Sequence, residues 1–213
     1  MRIVYLHGFA SSPRSSKAQF FGEKFRQAGI PFVAPELDQG KFEELTITGQ
    51  LAVIEDTVSG GVDAGETVLM GSSLGGYLAA LFAAIHISAV KRLILLAPAF
   101  HFLSRWHERM SPQELEAWKT RGWASIYHYG SQTERRLSYR FLEDGARYPP
   151  VPDFPQPALL LHGSSDEVVP AEESRQFTEK HPHARLVLFP SGHELTDVLD
   201  GLWKEVAGFL EMA

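Results

Sequence analysis

The chain has 213 residues, 44% of them hydrophobic and 22% charged, enough for a full core without disulfide or metal staples. Its net charge of −6 argues against nucleic acid or an anionic membrane as partner, because both require clustered Lys and Arg. With no cysteine, disulfides, thiolate chemistry and Cys-based zinc sites are excluded, and no metal site is expected.

In chain order, Ile3–Leu6 is a short apolar run that reads as a strand, and Ser16–Ala28 as a helix with Phe20, Phe21 and Phe25 on one face, closed by Gly29. Residues 31–35 form a second strand, followed by a helix over Leu45–Ser59 with Leu51, Ile54 and Val58 in a stripe. Thr67–Met70 is the third strand and Leu74–Ile85 its helix. Arg92–Leu96 is the fourth strand. Ala158–Leu161 and Arg185–Phe189 are the fifth and sixth, separated by a helix over Glu172–Lys180; a last helix spans Thr196–Leu210. Continuous apolar strands mark a parallel sheet buried on both faces, and repeated strand–helix units give an open α/β architecture. No Gly-rich phosphate loop follows the first strand, against a nucleotide-binding sheet.

Residues 100–148 break the alternation. They are rich in aromatics and mixed charges, and Ser111-Pro112-Gln113-Glu114 is a capping box with proline at the first helical position. A proline-rich connector over 149–157 returns the chain to the sheet. The segment reads as a helical cap inserted into a single domain spanning 1–213. Phe100, Phe102 and Trp106, directly after the fourth strand, are the candidates for a substrate pocket.

Gly71-Ser72-Ser73-Leu74-Gly75 reads G-x-S-x-G between a strand and an apolar helix, the context in which a tight turn lifts a serine hydroxyl out of the sheet. Glycines are expected two residues before and after Ser73, where a Cβ would collide with backbone. A serine hydroxyl needs a base, and the base needs an orienting group. The fifth strand runs into a loop bearing Asp166, the sixth into one bearing His193, both at the carboxyl edge where open sheets place ligands. Asp166 is the expected acid, with Glu167 the alternative, and His193 the expected base. His7 and His162 also end strands, but each precedes a glycine and reads as loop support. Ser72 is one position off the motif. The backbone N–H groups of Leu74, at a helix N-terminus, and of Phe9, after Gly8, are the expected oxyanion donors.

Together, Leu6-His7-Gly8-Phe9, residues 71–76, residues 163–170 and Ser191-Gly192-His193 resemble the α/β-hydrolase superfamily over the full length. More narrowly, residues 5–18 with residues 71–77 are similar to the small bacterial esterases of the YqiA-like group, although the segment 100–148 is more elaborate than a minimal cap. The resemblance implies a three-layer fold with a mostly parallel six-stranded sheet. It also implies hydrolysis of short-chain acyl esters or thioesters without a cofactor. Serine at 73 argues against the dehalogenases and epoxide hydrolases of that fold, which use aspartate, and against its cysteine-based dienelactone hydrolases. The expectation is a carboxylesterase-type serine hydrolase acting on a small-molecule acyl ester. The alternatives are a peptidase or amidase on the same fold, or a non-catalytic ligand-binding homologue. The chain enters its first strand directly after Met1-Arg2, so a cytoplasmic monomer or homodimer is expected, with no membrane or nucleic-acid partner.

Overall fold

The computed structural model describes residues 1–60 and 66–212. β1 (Arg2–Leu6) leads through a Ser-rich loop to α1 (Ser16–Gln27), whose N-cap Ser15 accepts from the Ala18 amide. β2 (Phe32–Val33) and a 3₁₀ turn (Phe42–Glu44) precede α2 (Ile47–Ser59). α2 begins two residues later than its apolar pattern suggests, because the Thr46 hydroxyl accepts from the Gly49 amide and ends the loop there. β3 (Thr67–Ser72), α3 (Leu74–Ile85) and β4 (Arg92–Leu96) follow.

Residues 102–145 hold α4 (Phe102–Arg109), α5 (Pro112–Arg121), β5 (Trp123–His128), β6 (Thr133–Ser138) and α6 (Arg140–Gly145). The capping box at Ser111 and Glu114 forms as expected. The insertion holds the three helices of a helical cap and, beyond that expectation, a hairpin: β5 and β6 pair antiparallel, Trp123 opposite Ser138 and His128 opposite Thr133. A lone two-stranded hairpin is marginal in water. Here the Trp118 indole donates to Leu137 O at 3.0 Å, and the turn residue Gly130 donates to Ala10 O at 3.1 Å. Arg135 reaches Asp38 at 3.4 Å and lies over the Phe42 ring.

β7 (Ala158–Gly163), α7 (Ala171–Lys180), β8 (Ala184–Phe189) and α8 (Leu199–Phe209) complete the chain. The main sheet has six parallel strands in the order β2-β1-β3-β4-β7-β8. Side chains alternate between its faces, and both faces are buried. Leu69, Leu93, Leu95 and Leu160 pack toward α2, α3 and α7, whereas Val68, Met70, Ile94 and Leu161 pack toward α1 and α8. The three layers put the ends of β1, β3, β7 and β8 at one edge. No helix among the described residues is long and apolar enough to cross a membrane.

Candidate active site

The turn from β3 into α3 is made by steric exclusion. A Cβ at Gly71 would lie 2.1 Å from Gly75 O, and one at Gly75 would lie 2.1 Å from Leu6 O. Chain and helix can approach this closely only with hydrogen at both positions. Ser73 takes φ 55°, ψ −118°, a conformation that L-residues rarely adopt. It is held by Ser73 N–H donating to Leu96 O at 2.8 Å and by Ser73 O accepting from the Ala99 and Gly76 amides at 3.0 and 2.9 Å. The side chain is thereby delivered above the carboxyl edge of the sheet.

Two other loops reach it. Asp166 follows β7, and its Oδ1 accepts from the Val168 and Val169 amides at 2.8 Å each. His193 follows β8, and its Nδ1 lies 2.7 Å from Asp166 Oδ2. A carboxylate only accepts, so Nδ1 carries the hydrogen and Nε2 is left as an acceptor. Nε2 lies 3.0 Å from Ser73 Oγ, whose hydroxyl donates to it. Gly163 allows the two loops to cross: a Cβ there would sit 2.4 Å from Gly192 O and Ser191 O. Burial acts most strongly on Asp166 and favours its neutral form. Hydrogen bonds from His162, His193 and the Val169 amide outweigh it and hold the carboxyl well below the usual carboxylate range.

The loop after β1 runs beside the serine: a Cβ added at Gly8 would come into van der Waals contact with it, 3.5 Å from Ser73 Cβ and 3.4 Å from Ser72 O. Leu74 is the first residue of α3, where an N–H has no partner within its helix. Phe9 and Leu74, the expected oxyanion donors, both border the same cavity as Ser73 and His193. Lys17, buried on α1, donates to Glu194 O at 2.6 Å and so ties the histidine loop to the α1 side of the site. Neither charge pattern nor motif singled it out.

The cavity measures about 1190 Å³ and lies between the sheet edge and the segment 100–148. Phe102 and Trp106 line it, as do Met110, Ile126 and Phe141. Phe100 does not serve as expected. It is completely buried and stacks on Phe177 of α7, ring centroids 5.0 Å apart. The backbone turns at Ala97 (φ 44°) and His101 (φ 57°), on either side of it, and that turn directs Phe100 into the core. Ser11, Ser12 and Ser15 give the other wall a polar character. Among the described residues no cluster of His, Asp or Glu is placed to hold a metal ion.

A six-stranded parallel sheet flanked by helices, with a serine elbow after β3, defines an α/β-hydrolase fold. The solved structure of alpha/beta hydrolase domain-containing protein 10 from mouse has this fold, with TM-score 0.82 and 22% identity over 98% of this chain and 89% of that one. Est1E from Butyrivibrio proteoclasticus, with ferulic acid bound, has TM-score 0.80 and 20% identity over 99% and 90%. The chain belongs to UPF0227, described as an uncharacterised protein family, whose model matches residues 2–210. In sequence it is also similar to the mitochondrial palmitoyl-protein thioesterase ABHD10 of Mus musculus, 25% identical over 93% of this chain and 70% of that protein.

Proposed function

We propose that the protein is a serine hydrolase that cleaves carboxylic esters or thioesters of small acyl substrates through an acyl-enzyme. The observation that carries this reading is the continuous hydrogen-bonded line from Ser73 Oγ to His193 Nε2, 3.0 Å, and from His193 Nδ1 to Asp166 Oδ2, 2.7 Å, opening on a cavity with an apolar wall. The relatives named thioesterase and esterase support the same chemistry.

His193 takes the Ser73 proton as Oγ attacks the acyl carbonyl. Asp166 keeps the imidazole in the productive tautomer and stabilises the imidazolium. The Phe9 and Leu74 amides receive the negative oxygen of the tetrahedral intermediate, each such donor lowering the barrier by about 3 kcal/mol. His193 then protonates the departing alcohol or thiol. Water, deprotonated by the same imidazole, attacks the acyl-enzyme and releases the acid. Every step draws on side chains and backbone of this chain.

A fluorophosphonate probe tests the proposal. The expected result is a mass adduct on Ser73, with p-nitrophenyl esters hydrolysed in preference to aminoacyl nitroanilides. Ser73→Ala should abolish labelling and lower kcat by on the order of 10⁶. A folded wild type that takes no adduct and turns over no ester defeats the proposal in favour of a binding protein.

A further inference from the structure

Asp166 is held by more than the base it orients. Its Oδ2 lies 2.7 Å from His193 Nδ1 and also 3.2 Å from Nε2 of His162, a wholly buried side chain near the end of β7. The same Nε2 is 2.9 Å from Val169 O. A carbonyl only accepts, so Nε2 carries a hydrogen and donates it to Val169 O, with Oδ2 of Asp166 standing close beside that N–H. The other nitrogen, Nδ1, lies 2.7 Å from Oγ of Ser174 on α7, which is completely buried as well. Nδ1 and the Ser174 hydroxyl are hydrogen-bonded, and the imidazole is fixed at both ends. A buried histidine serving the core alone needs its two nitrogens satisfied. It does not need to stand 3.2 Å from the oxygen that serves His193.

Resting on the hydrolase reading of Ser73, His193 and Asp166, we propose that His162 is a positioning residue for the acid. The polar edge of its ring sits 3.2 Å from Oδ2 of Asp166, beside His193, and Ser174 locks that ring, so the line of side chains runs from Ser73 to Ser174. The groups facing the carboxylate are then accounted for element by element. Two imidazoles from the β7 and β8 ends meet Oδ2, and the Val168 and Val169 amides meet Oδ1. On the α1 side Lys17 is engaged by Glu194, and on α7 Glu173 is engaged by Arg105. Without the N–H dipole of His162 beside Oδ2, the carboxylate charge bears on His193 alone. It holds the imidazolium more tightly and itself takes a proton more readily. The tighter hold on the imidazolium moves the acid limb of kcat/KM to higher pH.

Hydrolysis of p-nitrophenyl butyrate across pH, with fluorophosphonate labelling of Ser73, tests this in wild type, His162→Met, His162→Gln and Ser174→Ala. His162→Met, which removes the N–H at similar volume, should shift the acid limb upward by roughly 0.5–1 pH unit. His162→Gln, whose amide N–H reaches the Nε2 position, should return the limb toward wild type. Ser174→Ala, which keeps the ring but removes its anchor, should shift it in the same direction by less. A role confined to packing would lower kcat/KM alike at every pH. An unmoved midpoint in His162→Met therefore overturns the proposal, and so does an unmoved midpoint in Ser174→Ala should His162→Met not fold. An inactive, unlabelled wild type overturns the hydrolase reading itself; an active wild type with unmoved variants overturns only the role of His162.

Discussion

Ser73 carries its hydroxyl on a backbone that costs an L-residue roughly 1–3 kcal/mol, and such strain persists only where the surroundings over-determine it. Here the hydrogen bonds to Leu96, Ala99 and Gly76 do so. Ser73→Gly and Ser73→Ala both delete the hydroxyl, and only the alanine keeps the Cβ. The glycine variant should therefore be the more stable by about 1 kcal/mol in urea unfolding, the reverse of the ordinary order. Equal stability of the two would show that the elbow holds no strain. Asp166 offers a second measurement. Its folded-state pKa lies below the unfolded value of about 3.9, so its contribution to stability is complete above that pH and is lost as pH falls from there through the folded value. Asp166→Asn should flatten the acid arm of the stability curve below about pH 4, and an arm as steep as wild type would deny the carboxylate this role. The loops bearing Ser73, Asp166 and His193 are legible in the sequence because glycines at 71, 75, 163 and 192 bracket them and apolar runs lead into them. Phe100 was misread because the turns at Ala97 and His101 place non-glycine residues at positive φ, which residue type does not signal.

The strands of the main sheet are legible as apolar runs because a parallel strand buried on both faces has no polar side to display. The β5–β6 hairpin was missed for the opposite reason. Its two runs, Trp123–His128 and Thr133–Ser138, mix aromatics with Glu134, Arg135 and Arg136, and only the glycine in the turn over 129–132 hints at a hairpin. Its stability comes from distant partners, Ala10, Asp38 and Trp118, which local pattern cannot reveal. At this scale the crossing of the β7 and β8 ends carries the sharpest prediction. Gly163→Ala places a methyl where Gly192 O and Ser191 O now lie, so one loop must yield. The displaced element is the one that carries Asp166 or His193. A shift of about 1 Å in a reacting group costs on the order of 10²-fold in rate. The variant should lose kcat by about that factor with KM little changed. A variant with full kcat would show that the loops can separate without moving their side chains.

The whole molecule divides between a sheet edge, which carries Ser73, Asp166 and His193, and the segment 100–148, which walls the cavity. At about 1190 Å³ the cavity exceeds the roughly 300–1,000 Å³ typical of small-molecule sites, enough for an acyl chain and a leaving group together. The apolar wall is aromatic: Phe9 meets Phe141 at 5.4 Å and Trp106 at 5.6 Å between ring centroids, with buried Trp118 backing Trp106 from behind the wall. An acyl chain lying on these rings gains about 0.8 kcal/mol per buried methylene, close to fourfold in kcat/KM for each one. Across p-nitrophenyl esters of graded length, kcat/KM should therefore climb in steps of that size and then level off where the chain meets the end of the wall. Trp106→Leu shortens one ring of that wall while keeping it apolar. The plateau should move to shorter chains, with the shortest esters losing least because they never reach residue 106. A profile flat in chain length for wild type, or a plateau that Trp106→Leu leaves in place, would mean that the acyl group binds elsewhere, and the polar wall at Ser11, Ser12 and Ser15 would then be the surface that selects substrate.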